Sequence, residues 1–235
     1  MKKSYLLLSV LLCLALFLSA CNAEISDTST QETNKTETLS ILPPPEPDNG
    51  PFGIDSNINM STIDDFLNRP DVAYIDVRML YDPANYEAIG GISRLTQTLP
   101  GYRVTPFPFI ANLGTLPVEG RYEGDTLFTI VWGENRGEVV EITPNYVESE
   151  MILSELFPKD KIIFLMCGGA GYSSLARGLL LSQGWDPSKV YHTGGNWHYT
   201  GSKGLDMQFG DGDGIATWRV NYAHIDFSRL NRIAP

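Results

Sequence analysis

Cysteine is scarce in this chain: 235 residues hold three, at positions 13, 21 and 167. A disulfide framework is therefore not expected. Histidine is equally sparse, with His192, His198 and His224 scattered, so no spacing suggests a zinc-type site. Asp206, Asp211 and Asp213 lie among glycines but lack the full calcium-loop spacing and its closing Glu. No metal and no cofactor are expected. Basic charge is short, with 17 Lys and Arg against 28 Asp and Glu for a net charge of −11. Such a surface disfavours nucleic acid and any broad basic contact with anionic lipid. Long apolar runs are missing except at the extreme N-terminus, which excludes a multi-pass membrane protein.

That one run extends from Tyr5 to Phe17 behind Lys2 and Lys3. It is short for a membrane span and suits a secretory leader over residues 1–20. It closes in Leu18-Ser19-Ala20-Cys21, which resembles a bacterial lipobox. The resemblance implies a lipidated Cys21 and an extracytoplasmic protein anchored to a bacterial membrane. Residues 22–50 are rich in Ser, Thr, Glu and Asn and end in the Pro43–Pro45 run. With Cys21 they read as a disordered tether with a stiff end. Residues 51–235 then form the folded domain.

With Cys13 in the leader and Cys21 lipidated, Cys167 is left as the one free thiol. It follows Lys161-Ile162-Ile163-Phe164-Leu165-Met166, an apolar run suited to a fully buried parallel strand. Behind it come Gly168, Gly169, Ala170, Gly171, Tyr172 and Ser173, then a helical pattern through Leu175, Ala176 and Leu179. Ser173 or Ser174 is the expected N-cap, and Gly184 falls where a helix would end. A cysteine at the carboxyl end of a strand, before a glycine-rich turn and a helix N-terminus, is placed where backbone N–H groups can face it. A lowered thiol pKa is the expectation.

Cys167, four residues, a sixth position, then Ser-x-x-Ala opening a helix: this pattern resembles the active-site loop of the rhodanese family. Three further segments fit in order. Val72–Arg78 resembles the family strand ending in Asp-x-Arg, and Ile89-Gly90-Gly91-Ile92 its following small-residue turn and strand. Gly184-Trp185 through Val190–Gly195, with Trp197 close by, resembles the last strand and its Gly-Gly turn. The resemblance spans residues 62–198. It implies a parallel α/β sheet flanked by helices and a sulfurtransferase that carries sulfur on Cys167 as a persulfide. A small sulfur donor and a thiol or cyanide-like acceptor would be its partners. Tyr172 stands where single-domain rhodaneses commonly have Arg, and Arg177 where they have a small residue. The first change removes a fixed positive charge, leaving Tyr172 to give one hydrogen bond or to line an apolar pocket. Related phosphatases and arsenate reductases use a loop one residue longer closed by Arg; Ser173 stands there, which argues against phosphoryl transfer.

Asp76 and Arg78 are expected to form an ion pair supporting the cysteine loop, and Arg177 is a further candidate at the site. Residues 95–145 exceed the short connection a compact domain needs. Thr126–Trp132 and Glu138–Ile142 around Gly133–Gly137 read as a β-hairpin, within an inserted subdomain beside or over the loop that a protein partner could use. Two other functions fit the same residues: a catalytically weak binding module, and a redox-sensing thiol.

Overall fold

A computed structural model describes residues 39–207 and 221–234. The leader, Cys21, the tether as far as residue 38, and Asp211 and Asp213 lie outside the described residues. Strand β1 (Val72–Asp76) is followed by the two-residue strands β2 (Gln97–Thr98) and β3 (Arg103–Val104), then by the single helical turn α1 (Phe107–Ile110). Strands β4 (Phe128–Trp132) and β5 (Val139–Pro144) precede helix α2 (Ser149–Leu156) and strand β6 (Ile162–Cys167). Helix α3 (Gly171–Ser182), strand β7 (Val190–Gly195), and the short β8 (Leu205–Asp206) and β9 (Asn221–Tyr222) complete the order.

The central sheet runs β7-β6-β1-β3-β9, and every neighbouring pair in it is parallel. The expected parallel α/β sheet flanked by helices is thus present. Strand β6 shows why its sequence is apolar throughout. Ile163, Leu165 and Cys167 join the core cluster that holds Leu175, Leu179 and Leu153. Phe164 and Met166 join the opposite cluster with Ile58, Ile63 and Tyr191. Alternation sends successive side chains to opposite faces, and both faces are covered, so no position can be polar. Full burial of each such side chain contributes ~1.5–3 kcal/mol. The same parity places the thiol on the α3 face.

Strands β4 and β5 pair antiparallel, with Ile130 opposite Ile142 and a register shift at Val131/Trp132. Phe128 and Ile130 turn into the core, whereas Val131 and Val140 are exposed, the alternation of a one-sided ladder. The turn closes through Gly133 N–H to the Glu138 carbonyl at 2.9 Å.

Three local expectations are corrected. Helix α3 is capped by Ala170, in the left-handed region at φ +71, with no side-chain cap; neither Ser173 nor Ser174 is the cap, because both lie inside the helix. Ser61–Leu67, whose serine start and early Asp64 and Asp65 suggest a capped helix, form only the 3-10 turn Ile63–Phe66. The domain also begins earlier than residue 51. Pro43 O accepts from Tyr191 Oη at 2.7 Å, Glu46 N–H donates to Asp55 Oδ2 at 2.7 Å, and Leu42 packs on the second core. Among the described residues no helix is long and apolar enough to cross a membrane.

Candidate active site

Cys167 is the last residue of β6, paired in register with Gly195 of β7. The chain then turns sharply enough for α3 to begin at Gly171. As a result the backbone N–H groups of Tyr172 and Ser173 face the sulfur and favour its charged form. Ser173 Oγ lies 3.3 Å from Sγ. The loop must be thin on its other side because Trp197 lies against it. A Cβ on Gly168 or Gly169 would stand 2.7 Å from the indole, and one on Gly91 would stand 2.3 Å from it. Trp197 N–H also donates to Gly168 O at 3.1 Å.

The thiol is only 3% exposed. Burial pushes it above its ordinary value; the Ser173 hydroxyl and the two amides oppose this, and the Asp76 carboxylate adds to the rise. The expected lowering is thus reversed. The amides are in place, but removal of water from a thiolate outweighs them.

Ser173 is fully buried and sits between the sulfur and a buried imidazole. Its Oγ is 2.7 Å from His192 Nε2. His192 Nδ1 lies 2.9 Å from Phe52 O and 3.2 Å from Gly53 O. Two facing carbonyls require a proton on Nδ1, so in the neutral ring Nε2 holds the lone pair and competes with the sulfur for the one serine proton. Burial lowers the imidazole to about 4, against the two carbonyls that favour the charged form.

Tyr172 does not offer a free hydrogen bond. Its hydroxyl donates to Asp82 Oδ2 at 2.8 Å and accepts from Tyr86 Oη at 2.8 Å. Asp82 is itself buried, and burial raises its carboxyl although the Ala84 N–H and Tyr172 stabilise the charge. Tyr172 thus lines the cavity with its one hydrogen bond already given to a carboxylate.

Arg78 clasps Asp76. Its Nη2 donates to Oδ2 at 2.6 Å and its Nε to Oδ1 at 2.9 Å. Its remaining donors reach Asn196 Oδ1 at 3.1 Å and Gln97 O at 2.7 Å. The pair ties β1 to the strands beside the loop, as expected from sequence. Arg177 turns elsewhere: its Nε donates to Val190 O at 3.4 Å, burial lowers it, and it lines a second cavity with Ser174 and Gly178.

A cavity of about 120 Å³ lies over the sulfur. Cys167, Gly168, Gly169, Gly171, Tyr172 and Arg78 all reach it. Ala170 and Ser173 are buried beside them, with Asp76 behind Arg78. Arg177 is not part of it. Sequence reasoning missed Asp82, Tyr86 and Arg136 in its lining, and missed His192 behind Ser173. His192 alone carried a signal, a histidine inside an otherwise apolar strand pattern. His198, close to the Gly-Gly turn in sequence and a second histidine that could have approached the cysteine as a base, is exposed. No cluster of three His, Cys, Asp or Glu side chains suited to a metal occurs among the described residues.

Comparison with protein-family models, with curated proteins and with solved structures finds no match. The functional reading rests on this chain alone.

Proposed function

We propose that the chain is a rhodanese-like sulfurtransferase, lipid-anchored through Cys21 outside the cytoplasm, that carries sulfane sulfur on Cys167. One observation carries this reading: a lone sulfur at the end of a central parallel strand, under two amides, opening on a cavity. The β4–β5 hairpin is then an insertion relative to the rhodanese pattern.

In the forward half-reaction the Cys167 sulfur attacks the sulfane sulfur of the donor. The bond from that sulfur to the rest of the donor breaks, and the leaving group departs with the electron pair. As the bond breaks the thiol proton passes to the leaving group, and the Ser173 hydroxyl donates to the Cys167 sulfur as charge develops there. What remains is Cys167–S–S⁻, its charge facing the Tyr172 and Ser173 amides. In the return half, a thiolate or cyanide attacks the outer sulfur, and Cys167 leaves and is reprotonated.

Intact-mass spectrometry after exposure to thiosulfate, inorganic polysulfide and glutathione persulfide tests the reading. One added sulfur, ~32 Da on the covalent route, should form on the parent, be absent from Cys167→Ser, and leave as thiocyanate on adding cyanide. Equal sulfur uptake by Cys167→Ser would remove the proposal.

The raised thiol and the committed Tyr172 favour a second reading, a binding module on this fold without turnover. It predicts that none of the three donors loads Cys167. A redox-sensing thiol fits less well, since oxidation follows thiolate character and exposure, and this sulfur has little of either.

A further inference from the structure

The cavity over Cys167 has walls that ask for an apolar guest. Phe52, Ile89, Ile92, Leu116 and Trp197 line it. Its volume, about 120 Å³, is close to the ~150 Å³ of an apolar cavity that takes up benzene. A guest of that size is one aromatic ring or a short branched alkyl group.

Most charged groups on the lining already have partners. Asp82 is held by Tyr172 and the Ala84 N–H. Arg78 spends its donors on Asp76, Asn196 and Gln97 O. Arg94 also has a partner. Arg136 differs: among the described residues it makes no ion pair. Its guanidinium lies 5.1 Å from the Phe52 ring centroid. Its Nη1 is 3.6 Å from the point where a Cβ on Gly171 would stand. The cation is therefore beside the first turn of α3, at the edge of the space that holds the sulfur.

The β4–β5 turn is fixed there by contact of backbone on backbone. A Cβ on Gly178 of α3 would fall 1.8 Å from Gly137 O, and one on Gly137 would fall 2.8 Å from Ser174 O. Gly137 also has φ +78, where glycine is at ease. The turn is thus seated on α3 one residue from Arg136, and stacking on Phe52 orients the guanidinium further.

We propose that Arg136 reads the negative end of the sulfur donor, and that the donor is an organic sulfane-sulfur compound with one compact apolar body and an anionic sulfur-bearing head. This inference rests on the sulfurtransferase reading. An aryl thiosulfonate has the required shape: the ring meets the apolar walls, the sulfonyl oxygens face Arg136, and the terminal sulfur meets Cys167. Attack transfers that terminal sulfur and releases an aryl sulfinate with the bonding electrons.

The full chain and its Arg136→Gln and Arg136→Lys variants provide the test. Modification of Cys167 is followed by intact mass with benzenethiosulfonate and thiosulfate, which add one sulfur, and with neutral dimethyl trisulfide, which leaves a methylthio group on the same thiol and expels methyl persulfide. The parent should load from benzenethiosulfonate in preference to thiosulfate. Loss of a charged hydrogen-bond partner should raise KM for benzenethiosulfonate about tenfold in Arg136→Gln. Arg136→Lys should keep part of the effect, and dimethyl trisulfide should be unaffected. Equal KM for benzenethiosulfonate in parent and Arg136→Gln overturns the proposal. Calorimetry with unreactive benzenesulfonate and uncharged benzenesulfonamide separates the two claims. If no donor loads Cys167, sulfur transfer falls, and the binding arm still judges Arg136. Benzenesulfonate binding that weakens about tenfold in Arg136→Gln, with benzenesulfonamide unchanged, supports the anion contact; indifference to the substitution refutes it.

Discussion

His192 is neutral because it is dry, and that has a measurable consequence. Its value in the fold, about 4, lies below the ordinary 6.5. The folded state therefore disfavours the imidazolium more than the unfolded state does. The linked stability is fully present above about pH 6.5 and is lost as pH falls toward about 4. The full shift corresponds to roughly 3 kcal/mol. Urea unfolding at pH 7.5 and pH 4.5 should show the parent losing more stability than His192→Gln, which lacks the titration; parallel losses would contradict it. The same dryness explains why the thiol defeats a sequence reading. Glycines and a helix start next to a cysteine promise a stabilised anion. They do not reveal that the sulfur is 3% exposed, which depends on what the Trp197 and Phe52 segments bring over it. Arg136 was hidden for a similar reason: nothing in its neighbourhood in the sequence links it to a loop thirty residues on.

Among the elements, β6 was legible because two-sided burial leaves a continuous apolar run. The hairpin was legible because glycines punctuate alternating strands. The start of α3 was not, since Ser173, which suits a cap, lies inside the first turn with its hydroxyl on the sulfur. The contact of the hairpin turn with α3 is a second feature of pairing rather than pattern. Gly178→Ala should gain about 1 kcal/mol from helix propensity alone. Here the new methyl would overlap the Gly137 carbonyl, so the turn must lift. A lower thermal midpoint and weaker benzenesulfonate binding should appear together. A stabilised Gly178→Ala with unchanged binding would show the contact to be slack.

At the scale of the whole molecule, the sequence places the folded unit too late. Composition makes residues 39–50 look like tether, yet Pro43 and Glu46 hydrogen-bond to the domain and Leu42 packs on it. A proline-rich stretch needs little ordering entropy, so a few good contacts suffice to hold it. A chain starting at residue 51 should therefore be less stable than one starting at residue 39 by about 2–3 kcal/mol, from one half-buried leucine and two hydrogen bonds. Equal urea midpoints would show that the segment lies on the surface without contributing. Three strands of the sheet, β1, β6 and β7, could by contrast be read from the sequence, whereas β3 and β9, two residues each, are too short to leave a period.

The indole of Trp197 presses on glycines from two distant segments, at 91 and at 168–169. None of these positions can drift by itself: a methyl at any of them has nowhere to go while the indole stays. Among divergent descendants of this gene, a larger residue at any of the three should travel with a smaller one at 197, and such paired changes would trace the shape of the site through lineages whose remaining sequence has scattered.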